Sequence, residues 1–162
     1  MIRRLLALIG LGGRERTPSP HLAIDEAWTF SEIRDKHRFL RWVLSAVPDG
    51  TIWSIEGVSD PAILYLAQEF SASDGVQIPR ATIWPRQNTM KLLLTPESKE
   101  RLSASLQKWD LDRDLIHQHI YSDAALYFRS YDNLHESCTW VSRLISRDQL
   151  EPLLEDNVAS LA

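Results

Sequence analysis

His117 and His119 stand two residues apart in the stretch HQHIYSDAALYFRSY, which runs from residue 117 to 131. In a β-strand, residues i and i+2 point to the same side, so both imidazoles would share one face. Two histidines on one face begin a zinc or iron site. A hydrolytic metal centre needs about three protein ligands, so a carboxylate would have to converge from elsewhere. Glu56, Asp60 and Asp123 are the candidates, and no HExxH helix accompanies them. A metal-dependent hydrolase built on His117 and His119 is one reading; surface histidines on a strand are the other.

Other chemistry-bearing residues make weaker patterns. Asp110, Asp112 and Asp114 have the spacing that opens a calcium loop, but Leu115 stands where the loop needs glycine and Tyr121 where it needs glutamate. A solvated turn is the expectation there. Cys138, His135 and Asp132 supply the atoms of a nucleophile, a base and an orienter. Spacing along the chain does not bring them together, and Cys138 beside Trp140 and Val141 reads as a small buried apolar group. There is no G-x-S-x-G and no phosphate-cradling loop, and Gly10 to Gly13 opens no strand–helix unit. No resident cofactor and no catalytic set is expected.

Two stretches look made for contact. Trp84, Arg86 and Asn88 fall in Trp-Pro-Arg-Gln-Asn, the expected tip of a hairpin. Tyr127, Arg129 and Tyr131 alternate with Leu126, Phe128 and Ser130, which suits a strand with one packed and one wet face. Tyr, Trp and Arg are the side chains enriched where proteins bind one another.

The bulk properties set the frame. The 162 residues are 44% apolar and 25% charged, an ordinary balance for one globular domain. Six tryptophans offer large anchors for its core. The net charge of −4 divides unevenly: residues 1–20 carry four arginines against one glutamate, a net of +3, which leaves −7 for the remainder. An acidic body disfavours nucleic acid, whose phosphates need clustered Lys and Arg, and suits a basic protein partner. The single Cys138 excludes an internal disulfide and makes the reducing cytoplasm the expected setting. Residues 1–11 pair a basic start with a short apolar run, too short to span a bilayer but able to touch an anionic membrane surface. Residues 10–20 read as a flexible linker, so the expected division is 1–20 as segment and linker and 21–162 as one domain.

The elements follow from periodicity and punctuation. Thr29 with Glu32 predicts a capping box for a helix carrying Ile33, Leu40, Leu44 and Val47 and ending before Pro48. A strand is expected from Thr51 to Glu56. Asp60-Pro61 and Thr95-Pro96 each predict a capped helix start. Strands are expected near 76–84 and 90–95, then near 115–121, 125–131 and 138–144, before a short helix capped by Asp148 with Glu151. This order predicts an α+β fold, a mostly antiparallel sheet with helices on one face. In size, charge and tryptophan content the chain is similar to bacterial inhibitor and immunity proteins, a likeness of character that covers no motif. It implies a non-catalytic module, inhibitor- or adaptor-like, that acts on a protein partner.

Overall fold

The computed structural model describes residues 26–78 and 88–162. Its elements run β1 (Ala27–Ile33), α1 (Lys36–Ala46), β2 (Thr51–Glu56), α2 (Pro61–Glu69), β3 (Thr89–Leu94), α3 (Pro96–Ser105), β4 (His117–Tyr121), β5 (Leu126–Ser130), β6 (Thr139–Ser142), α4 (Arg147–Glu155) and β7 (Ala159–Leu161). The strands form one sheet in the order β3-β2-β4-β5-β6-β1-β7. Every pairing is antiparallel. The fold is α+β, with the helices on one side of the sheet.

The helices start and stop where local chemistry dictates. Asp60 accepts hydrogen bonds from the backbone N–H of Ala62 and Ile63, and Pro61 follows at the first helical position. Thr95 and Ser98 form a reciprocal capping box ahead of Pro96. The apolar stripe of α1 (Phe39, Leu40, Val43 and Leu44) is fully buried against the sheet. Phe39 meets Phe30 of β1 edge-on at 5.0 Å. Trp53 and Trp109 stack at 6.4 Å in the same core. Burying a large apolar side chain of this kind contributes about 1.5–3 kcal/mol.

Several elements differ from the sequence expectation. Thr29 does not cap a helix. Residues 27–33 form β1, which pairs with β6 on one side and β7 on the other, and α1 begins only after Asp35 accepts from the Arg38 N–H at 2.9 Å. Partners more than a hundred residues away decide the local choice, as strand propensity commonly allows. The strand expected near 76–84 is absent from 76–78, and the rest of it lies outside the described residues. β3 pairs instead with β2, from Thr51 opposite Leu94 to Glu56 opposite Thr89. The cap of α4 is Ser146 with Gln149, not Asp148 with Glu151, and Pro152 lies inside that helix.

Among the described residues no helix is long and apolar enough to cross a membrane. The N-terminal membrane contact expected of residues 1–11 and the linker of residues 10–20 fall outside the described residues.

Candidate functional site on the helix-free face

The sheet register sorts side chains into two faces. Trp53, Ile55, Leu92, Ile120, Phe128 and Val141 point to the helices and form the main core. The opposite face carries the polar residues in rows. One row runs Lys91, Ser54, His119, Arg129, Trp140 and Thr29 across β3, β2, β4, β5, β6 and β1. The next places Glu56 opposite His117. Tyr131, just past β5, closes against both.

His117 and His119 therefore do share a face, as strand geometry requires. Both are buried, at 8% and 7% exposure, so they are not surface histidines. The Tyr131 ring meets His117 edge-on at 5.2 Å and His119 at 5.6 Å. The Tyr131 hydroxyl lies 3.3 Å from His119 Nε2. His117 Nδ1 is buried without a hydrogen-bond partner. Burial pushes the His119 pKa down to about 4, with the Arg129 charge and His117 adding to the effect, so its ring is neutral near neutral pH. Burial raises the Tyr131 pKa. Arg129 opposes that shift, and the nearby Cys138 and Glu56 reinforce it.

Arg129 occupies the middle of the face. Its guanidinium carbon sits 4.3 Å from the Trp140 ring centre and 5.9 Å from that of Tyr131. Its Nε is buried and makes no hydrogen bond. Among the described residues it has no ion pair. Lys91, the other cation of the row, is already held by Asp74.

One end of this face is covered by the segment after α2. Ser71 bridges Leu92, and the Ala72 N–H donates to the Lys91 carbonyl at 2.9 Å. Lys91 Nζ reaches both Asp74 and the Val76 carbonyl. Val76 joins Ala27, Tyr121 and Leu126 in a second apolar cluster, against which Ile78, Ile52 and Trp140 pack. Burial opposes ionisation of Asp74, but hydrogen bonds led by that from Lys91 outweigh it and hold the carboxyl below its ordinary value. Burial, then the Asp74 carboxylate beside it, pushes the Tyr121 phenol up.

The structure separates Tyr127 from Arg129 and Tyr131. A register shift between Ile120 and Tyr121 marks a bulge, and Leu126 there pairs with Tyr121. Leu126 joins the helix-free face while Tyr127 packs against the main core. One extra residue reverses the parity on which the alternation depends. Asn88 is exposed, and its carbonyl accepts from the Gly57 N–H at 3.1 Å, at the Glu56 end of the sheet. Trp84 and Arg86 lie outside the described residues.

No group of three or more His, Cys, Asp or Glu side chains among the described residues is placed to hold a metal ion. Of the candidate carboxylates, Glu56 faces His117, Asp60 caps α2, and Asp123 is exposed in the β4–β5 turn. His135 Nδ1 is taken by the Ser137 hydroxyl at 2.9 Å, so that imidazole caps a short 3-10 turn. Cys138 is half-buried rather than enclosed. Asp114 is not in a solvated turn. It is fully buried and accepts from the Ser59 N–H at 2.7 Å, the Ser59 hydroxyl at 2.9 Å and the Asp60 N–H at 3.3 Å.

Beyond the Glu56 end lies a strained corner. Asp132, Asn133 and Leu134 are consecutive left-handed residues, with φ of 50°, 56° and 63°, and Leu115 adds a fourth at 60°. The Asn133 amide donates to the Asp114 carbonyl at 2.9 Å, and the Leu115 N–H donates to the Gly57 carbonyl at 3.1 Å. Backbone strain of this kind gathers at functional sites more often than elsewhere. Gly57 itself has φ +82°, and a Cβ added there would come within 2.5 Å of the Ile116 side chain. Gly57→Ala is expected to cost about 2–4 kcal/mol, from the left-handed backbone and the clash together. A urea midpoint unchanged from wild type would show that the corner gives way freely.

Sequence reasoning missed Trp140, placed opposite Arg129, and the Asp74–Lys91 pair. The pairing of β5 with β6 puts Trp140 there. Comparison with family models, with curated proteins and with solved structures gave no match.

Proposed function

We propose that the chain is a non-catalytic binding module and that the helix-free face around Arg129, Tyr131 and Trp140 is the surface that takes hold of a protein partner. The observation that carries this reading is Arg129. It is a guanidinium framed by two aromatic rings, with a buried Nε that has no acceptor. A half-buried guanidinium with no ion pair among the described residues still carries a full charge, and an arriving acceptor on a partner would match it. Arg and aromatic side chains are also the commonest energetic anchors of interfaces. The acidic body, with −7 outside residues 1–20, would speed encounter with a basic partner over distances of about 10 Å.

The test is retention of proteins from extracts of the source cells, identified by mass spectrometry. Wild type is compared with Arg129→Glu and with Arg143→Glu, whose guanidinium sits 5.0 Å from the Trp28 ring elsewhere on the molecule. Retention that survives Arg143→Glu and drops at least tenfold with Arg129→Glu, about 1.4 kcal/mol or more, is the expected result. Equal retention by all three proteins would remove the reading.

A further inference from the structure

We infer that Arg129 anchors a carboxylate site, and that the group the partner presents to it is an acidic side chain or a chain end. This rests on the reading of the helix-free face as the binding surface and names what that surface recognises. A guanidinium offers five N–H donors in one plane. Here the Trp140 ring packs against it at 4.3 Å, and the half-buried side chain has no ion pair among the described residues. Its Nε is closed off by the fold, so the two terminal amino groups are the donors that face outward, and an arriving planar oxyanion would accept from both at once.

The surroundings select a single negative charge. Lys91, the other cation of the row, is neutralised by Asp74. His119, directly opposite Arg129, stands beside the Tyr131 hydroxyl and contributes polar contact without charge near neutral pH. Glu56 and His117 occupy the next row, and Cys138 lies near Tyr131. A guanidinium with no ion pair among the described residues matches the single charge of a carboxylate. The charge of the whole partner is a separate matter, since a basic protein also carries carboxylates.

The experiment uses the full chain labelled with 15N and sodium benzoate as the probe. Benzamide, of the same shape but neutral, is the control, and ionic strength is held constant with sodium chloride. The Arg129 Nε–Hε signal is assigned by its loss in Arg129→Lys. It is expected to move saturably with benzoate and to stay in place with benzamide. Benzoate at about ten times its Kd should raise the wild-type Tm by about 3–5 °C, and that of Arg129→Lys by less than half as much. An Arg129 signal that ignores benzoate, or equal stabilisation of both proteins, overturns the carboxylate site. If that happens while Arg129→Glu still abolishes partner retention, the contact surface stands and only its chemistry is wrong. If benzoate binds at Arg129 but retention is indifferent to Arg129→Glu, the carboxylate site stands and the protein source falls.

Discussion

Asp114→Ala is expected to destabilise the protein by about 3–5 kcal/mol, the range for stripping one member from a buried, hydrogen-bonded ionic cluster. The carboxylate is fully buried and receives the Ser59 N–H, the Ser59 hydroxyl and the Asp60 N–H. Removing it leaves those donors facing a void. Its own backbone carbonyl holds Asn133, so the change would also loosen the left-handed turn beside the Glu56–His117 row. Burial alone would raise the Asp114 pKa. The hydrogen bonds from Ser59, Arg113 and Asp60 together pull it below the ordinary carboxylate value. Its contribution is present above the unfolded value near 3.8 and fades as pH falls through the lower folded value. Asp114→Asn, which keeps the shape and an acceptor oxygen, should lose less than Asp114→Ala. Urea unfolding at pH 7 measures both, and a loss under about 1 kcal/mol for Asp114→Ala would refute the account.

The second large effect is a dependence on pH that belongs to His119. Unfolded, its imidazole takes a proton near 6.5; folded, only near 4. Between those values the unfolded chain binds more protons than the native one, so stability falls as pH falls across the window. The full contribution is present above pH 6.5. Acidifying the solution from pH 7.0 to pH 4.5 should therefore remove about 2–3 kcal/mol on this account. The charged and titratable groups around the ring are Arg129 and His117, with Glu56, Tyr131 and Cys138 close by. The window of Asp74 and Asp114 lies lower, below about 3.8, so the two effects separate on the pH axis. His119→Gln should flatten the profile between pH 7.0 and pH 4.5 while leaving the more acidic limb intact. Parallel profiles for wild type and His119→Gln would show that the native ring is protonated well above 4.

Much of this architecture was legible in the sequence, for identifiable reasons. Proline after Asp60 and after Thr95 marked two helix starts because the first helical position tolerates a missing N–H. Strand β5 announced itself by alternation. β1 did not. Thr29 and Glu32 have capping-box spacing, and only β6 and β7 on either side turn that segment into a strand. The short β7 carries too few residues to show a period at all. The site was half visible. His117 and His119 share a face by simple parity, but that they meet Tyr131, and Arg129 meets Trp140, follows from register, which no single strand encodes. The bulge that sends Tyr127 to the other side leaves no mark in the alternation itself.

The place of β1 in the sheet has a consequence for biosynthesis. Trp28 donates its indole N–H to Ile145 across 117 residues of chain, and both neighbours of β1 are made more than a hundred residues after it. On a ribosome adding about 5–20 residues per second, this first segment waits roughly ten seconds with both of its edges open. Through that interval the nascent sheet cannot close around β1, and a holding chaperone would find its client there.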